Sequence, residues 1–156
     1  VRDGAQAAMK TIQNENRNLD IHTIKPEDLV QFNSLLDREQ FDLIEANIVN
    51  RDLAQTAKAL LDEETVDHGR LGGLLNAHQA ELRDRLRIST PKIDRMIDAS
   101  LKHGALGAKI NGSGGGGCMF AYAPDSYEQV AEAITGEGGT PYIIAIDEGA
   151  RVEYQH

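Results

Sequence analysis

Through most of the first hundred positions, apolar residues recur every three or four places, and after Gly104 the period changes. The early spacing predicts helices. Residues 3–18 form a polar helical stretch with few apolar anchors, weakened at Asn14-Glu15-Asn16. Pro26 is placed to begin a second helix, with Glu27 and Asp28 in the first turn, where the helix dipole favours acids. Leu29, Phe32, Leu35 and Leu36 give it one buried face. From Glu39 a longer helix carries Phe41, Ile44, Ile48, Leu53, Leu60 and Leu61, and Asp62-Glu63-Glu64 closes it. A further helix covers roughly 67–86, with Leu71, Leu74, Leu75, His78 and Leu82 on its stripe.

Ser89-Thr90-Pro91 is a strong start signal, a hydroxyl for the cap followed by proline in the first turn. Ile93, Met96, Ile97 and Leu101 make that helix's core face, and Gly104 ends it. Leu106 to Ile110 and Cys118 to Ala123 then read as strands. Pro124-Asp125-Ser126 opens a short helix with Val130, Ala133 and Ile134, stopped by Gly136 and Gly138-Gly139. Tyr142 to Ile146 and Ala150 to Tyr154 read as two more strands, joined by a Glu148-Gly149 turn. The sum is an α+β fold, several helices packed on one face of a small, mostly antiparallel sheet.

Between the first two strands lies the chain's most distinctive segment, Lys109-Ile110-Asn111-Gly112-Ser113-Gly114-Gly115-Gly116-Gly117-Cys118, with five glycines in six positions. Glycine visits positive φ freely and admits a close neighbour to the backbone, at an entropic cost on folding. Backbone N–H groups released from strand pairing can form a concavity for an anion. Asn111, Gly112, Ser113, Gly114, Gly115, Gly116 and Gly117 are therefore the candidate phosphate or substrate site. A tight hairpin with a bulge would explain the same glycines without a ligand. Gly114 and Gly116 are expected at positive φ. Lys109 and Arg83 are candidate cations for an anion, with solvated surface charge as the plainer reading.

Composition narrows the function. A net charge of −9 with no dense basic run disfavours nucleic acid as a partner. No apolar run is long enough for a membrane helix, and a single cysteine fits a reducing, cytoplasmic setting. The 156 residues suit one domain, and the absence of an initiator methionine suggests a fragment or processed form. His-Glu-x-x-His and comparable metal patterns are missing, so no metal ligand is assigned and His78 reads as a partly buried structural histidine. Cys118 reads as a small buried side chain behind the loop, Asp94 as a first-turn acid, and Arg83-Asp84 as a local ion pair.

Residues 112–117 satisfy Gly-x-Gly-x-x-Gly, but a dinucleotide loop opens a helix, whereas here a strand follows. The Walker pattern fails because Cys118-Met119 follows Gly117. The protein-kinase loop would fit the strand–loop–strand shape, but the His-Arg-Asp and Asp-Phe-Gly elements are missing.

Four elements in order resemble the C-terminal half of a GHMP kinase, the family of galactokinases and of homoserine, mevalonate and phosphomevalonate kinases. They are His78-Gln79-Ala80-Glu81-Leu82-Arg83-Asp84, Ser89-Thr90-Pro91-Lys92-Ile93-Asp94, Gly104-Ala105-Leu106-Gly107-Ala108-Lys109, and the glycine loop, which resembles the family's third motif. Gly149-Ala150-Arg151-Val152 resembles its closing strand, and the resemblance spans roughly residues 41–154. It implies a ferredoxin-like GHMP kinase C-terminal domain over 1–156, with 1–40 as a helical lead-in.

It also implies ATP-dependent phosphoryl transfer to a small-molecule hydroxyl, with ATP and Mg2+ acting in the intact enzyme and neither bound tightly by this chain alone. Leu82-Arg83-Asp84 and the Ser89–Asp94 element are most similar to galactokinase, so a sugar is the leading acceptor. Gly115 stands where galactokinases often carry phenylalanine and is more similar to mevalonate or bacterial heptose kinases, which are the alternative. The family's Pro-x-x-x-Gly-Leu-Ser-Ser phosphate loop and catalytic aspartate belong to its N-terminal half, and the chain lacks that pattern. No catalytic base is therefore assigned here. The expected partner is the chain's own N-terminal domain, and the surface that meets it is expected to be an apolar patch open to self-association. A stand-alone anion-binding module is the non-enzymatic alternative.

Overall fold

In a computed structural model, residues 2–16 and 19–145 are described. Helix α1 runs Arg2–Glu15, a 3-10 turn Pro26–Phe32, α2 Arg38–Leu61 and α3 His68–Ala80. A π-helical turn, Glu81–Arg85, extends α3, and α4 spans Pro91–Lys102. Strands β1 (Gly107–Asn111) and β2 (Cys118–Tyr122) form an antiparallel pair, followed by α5 (Tyr127–Gly136). This is the expected α+β arrangement.

Local chemistry accounts for the helix boundaries. Asp37 Oδ1 accepts from Gln40 N at 2.8 Å while Gln40 Oε1 accepts from Asp37 N at 3.1 Å, a reciprocal cap that starts α2. Thr90 Oγ1 accepts from Ile93 N ahead of Pro91, as the start signal predicted. Gly104, at φ +102°, ends α4 just beyond its cap residue His103.

Two apolar clusters share α2. Leu43 and Ala46 join Leu82 and Leu86, Ile93, Met96 and Ile97 of α4, and Ala108 and Ile110 of β1. On the adjoining part of α2, Ile44 and Ile48 pack with Ala8 and Ile12 of α1 and with Leu29, Phe32 and Leu36. Few anchors suffice for polar α1, because Ala8 and Ile12 are fully buried. A smaller cluster of Ala105, Ala123 and Val130 seats α5.

Several expectations are corrected. Leu35, in the turn between the 3-10 segment and α2, and Leu61, the last residue of α2, face solvent. The expected strand over 142–146 is absent through residue 145, where Tyr142, Ile143 and Ile144 are 82%, 64% and 83% exposed. Among the described residues no layer covers that run, and β-propensity expresses itself through packing. Its last residue, the Glu148-Gly149 turn and the expected strand 150–154 fall outside the described residues.

The expected helix 67–86 is borne out from His68 to Arg85, with its last turn π-helical. Leu86 N reaches back five residues to Glu81 O at 2.9 Å, and Ile88 N reaches Leu82 O at 3.0 Å. These bonds close the π-turn and throw Arg87 into a left-handed conformation, φ +52°, the one such non-glycine among the described residues. Arg85 Nη1 lies 3.1 Å from Glu45 Oε2 of α2 and 3.3 Å from Glu81 Oε2, tying the turn to the core. Burial first, and then the carboxylates of Glu45 and Asp84, hold the Glu81 acid above its usual range against the opposing pull of Arg85.

Candidate functional site

The glycine segment connects β1 to β2 as a hairpin loop, residues 112–117. Gly112, Gly114, Gly115, Gly116 and Gly117 have φ between +74° and +130°, including the two positions singled out from sequence. A backbone this persistently left-handed is closed to side-chain-bearing residues, each of which would cost roughly 1–2 kcal/mol there. The glycines thus serve a hairpin, but a six-residue one without the bulge, since the pairing is unbroken from Gly107–Tyr122 to Asn111–Cys118, and the run leaves an exposed loop rich in backbone groups.

Two anchors fix the loop. Gly115 N donates to Ile88 O at 2.7 Å, so that N–H is engaged within the protein. Gly114 lies against the same residue, since a Cβ on Gly114 would fall 2.5 Å from Ile88 Cβ. Ile88, three residues past the π-turn, therefore seats the loop.

Upstream, β1 is held by a helix where another strand would normally lie. Asn76 Oδ1 accepts from Ala108 N at 3.0 Å while Asn76 Nδ2 donates to Leu106 O at 3.1 Å. One helical turn later, Gln79 Oε1 accepts from Ile110 N at 2.9 Å. The buried positions of α3 are accordingly Gly72 and Gln79, whereas Leu71, Leu74 and Leu75 are only half-buried. Sequence periodicity missed Gln79, because an amide that satisfies a strand edge has no hydrophobic signature. Its Nε2 is buried without a hydrogen-bond partner.

Beside the loop, Gly112 and Ser113 form one rim of an open cleft of about 1000 Å³. Ala5, Gln6, Met9, Lys10 and Gln13 of α1 line one wall, and Asn47 and Arg51 of α2 another. Ile21, His22 and Ile88 complete it. Its charged lining is Lys10 and Arg51, with His22 titratable and no carboxylate among the described lining residues. Arg51 is steadied from both sides, its Nη1 donating to Ile21 O and its Nε donating to Asp52 Oδ1 at 2.7 Å. Lys10, Gln13, His22 and Arg51 were not singled out in the sequence. Only their convergence makes them notable.

The other sequence candidates lie away from that cleft. Arg83 makes a two-pronged pair with Asp84, Nε–Oδ1 2.8 Å and Nη2–Oδ2 3.1 Å, which raises the guanidinium and lowers the carboxyl through their mutual hydrogen bonds. Lys109 Nζ donates to Ile110 O at 2.8 Å and stands 5.4 Å from the Phe120 ring centre, and burial lowers its ammonium pKa. Both candidate cations are thus committed to protein groups. His78 is half-buried, its pKa lowered by burial and then by Lys109. Ser89 Oγ donates to Asp94 Oδ1 at 2.5 Å, fixing that first-turn acid. Cys118 is exposed rather than buried, because it pairs with Asn111 at the loop end of the hairpin, beyond the core. No group of three or more His, Cys, Asp or Glu side chains among the described residues is placed to hold a metal ion.

Residues 44–140 match the family model described as GHMP kinases C terminal. Mevalonate kinase of Thermococcus gammatolerans is 50% identical over 92 residues, 58% of this chain and 27% of that protein. Mevalonate kinase of Pyrococcus furiosus is 49% identical over 85 residues, 54% of this chain and 25% of that protein. Galactokinase of Streptomyces coelicolor is 38% identical over 82 residues, 52% and 21% of the two chains. The chain therefore spans about a quarter of the length of these curated relatives. In fold it resembles the crystal structure of Lactococcus lactis galactokinase complexed with galactose, with a TM-score of 0.72 at 23% identity over 89% of this chain and 37% of that one. No helix among the described residues is long and apolar enough to cross a membrane. With its family model matched over residues 44–140, the chain belongs to the GHMP kinases, as their C-terminal domain.

Proposed function

We propose that this chain forms the acceptor-side wall of an ATP-dependent kinase whose acceptor is a small aliphatic acid of the mevalonate type. The observation that carries this is the cleft beside the glycine loop, with the Lys10 ammonium in its lining, apolar groups at Met9, Ile21 and Ile88, and no carboxylate among its described lining residues; Arg51 is already paired with Asp52 and shapes the wall. A polyhydroxylated sugar is commonly gripped by carboxylates that accept from its hydroxyls. A carboxylic acid with a short alkyl body instead asks for a cation at one end and methyl groups along the other. The higher identity to mevalonate kinases than to the Streptomyces coelicolor galactokinase supports the same order.

In this reading the segment Asn111–Gly117 lines the phosphate side of the cleft. Phosphoryl transfer demands mainly positioning and charge stabilisation. ATP, with magnesium, would supply the transferred group, and the base, the metal ligands and the nucleotide loop would come from an N-terminal domain that this chain docks against. The chain's own residues bind and orient the acceptor. A sugar acceptor is the second reading, favoured by the galactokinase relative and by Leu82-Arg83-Asp84.

The test begins with the coding DNA immediately upstream of Val1, translated in frame. The whole reading frame is then assayed with ATP against mevalonate and galactose. Turnover of mevalonate, weakened by Lys10→Met chiefly through KM, is the expected result. Turnover of galactose alone would replace the first reading with the second. A frame that lacks an upstream kinase half and turns over neither acceptor would leave an anion-binding module.

A further inference from the structure

Ile88 stands at the meeting of two features. Its carbonyl accepts from Gly115 N at 2.7 Å, and its side chain is the surface on which Gly114 rests. The same residue lines the cleft beside Gly112 and Ser113. Its position is set by the strained residue before it, since Arg87 is held at φ +52° by the bonds that close the π-turn. A left-handed non-glycine residue is maintained only where the surroundings over-determine it, and such outliers gather at working sites. Here the outcome of the strain is the placement of Ile88.

We propose that Ile88 is a specificity-determining residue of the cleft, its side chain setting the length of apolar acceptor that fits while its carbonyl holds the glycine loop at matching height. This rests on the kinase reading above and deepens it. Trimming Ile88 enlarges the cleft where it adjoins the loop without touching the charged groups at Lys10 and Arg51. Because the backbone bond to Gly115 uses no side-chain atom, Ile88→Val and Ile88→Ala leave that anchor in place. Discrimination should therefore change before loop geometry does.

The experiment compares the wild-type full reading frame with I88V and I88A on mevalonate and on analogues in which the C3 methyl is lengthened to ethyl and propyl. One methylene in an apolar pocket is worth on the order of tenfold or more in kcat/KM. The expected result is a shift of about tenfold toward the ethyl analogue in I88V, and a larger shift toward propyl in I88A. A merely structural role would lower kcat/KM for all three acceptors by the same factor, and that outcome overturns the proposal.

A second readout keeps failure of the kinase reading distinct. With 13C-labelled isoleucine methyls in this chain, mevalonate is added and the Ile88 methyl signal is followed against that of Ile12, which is fully buried. A selective shift at Ile88 supports contact with the acceptor even if no turnover is found. Saturating mevalonate that shifts other cleft residues and leaves Ile88 unmoved overturns this proposal alone, and the absence of any shift overturns it together with the acceptor reading on which it rests.

Discussion

Gly72 of α3 and Gly107 of β1 meet backbone to backbone. A Cβ on Gly72 would lie 2.4 Å from Leu106 O, and one on Gly107 would lie 2.4 Å from Gly72 O. This contact brings the helix near enough for Asn76 and Gln79 to reach the strand's edge. Gly72→Ala is therefore expected to destabilise the chain by about 3 kcal/mol, the upper part of the usual overpacking cost, because the opposing atoms are backbone and cannot rotate aside. Gly73→Ala, one position on and with nothing within 4 Å of the added carbon, should gain roughly 0.5–1 kcal/mol as a helix-interior alanine. Urea denaturation of the two variants beside wild type checks both signs.

Gln79→Leu keeps the volume but removes the acceptor for Ile110 N. A buried N–H left unpaired costs about 1–3 kcal/mol. The amide of Ile110, protected at the strand edge, should exchange with solvent markedly faster in the variant. Unchanged exchange at Ile110 would mean that the strand does not depend on this helix.

Arg87 occupies a left-handed position that glycine fills without strain. Arg87→Gly relieves roughly 1–2 kcal/mol of backbone strain. It returns about 0.4–1 kcal/mol through the looser unfolded chain, for a net gain of several tenths to about 1 kcal/mol. Arg87→Ala keeps the strain and should bring no such gain. Thermal unfolding of the pair separates the two cases.

His78 gives the stability a pH dependence whose sign is fixed. Burial and the Lys109 charge hold its pKa below the usual 6.5, so the folded chain takes up this proton less readily than the unfolded one. The stability contributed by the neutral ring is complete above 6.5 and is lost as pH falls through the window between 6.5 and the lowered folded value. Unfolding free energies measured across that window should slope downward toward acid in wild type and flatten in His78→Gln. Equal slopes would assign the acid sensitivity to other groups.

Much of this fold is legible locally. Thr90 and Pro91 announce α4, Gly104 ends it, and the run of glycines declares its own left-handed backbone. These features act within a few residues of one another, where capping and φ preferences decide. The features that failed to show are tertiary. Gln79 is buried because a strand edge needs an acceptor, and Leu61 is exposed because no layer extends over it. The π-helical end of the helix across residues 67–86 also left no trace, because it shifts the apolar spacing by only one residue. The loop of the candidate site was plain from Asn111–Gly117 alone. The cleft beside it was not, since Lys10, His22 and Arg51 converge only after α1 has packed on α2.

A sheet of two strands ordinarily offers both margins to any passing chain, and a second copy could extend it by hydrogen bonding alone. Here the margin along β1 is already taken, because the amides of Asn76 and Gln79 occupy Leu106 O and the N–H groups of Ala108 and Ile110. No row of open donors and acceptors is left at these positions for strand-by-strand growth. Two polar side chains thus guard the folded chain against templated assembly from that side.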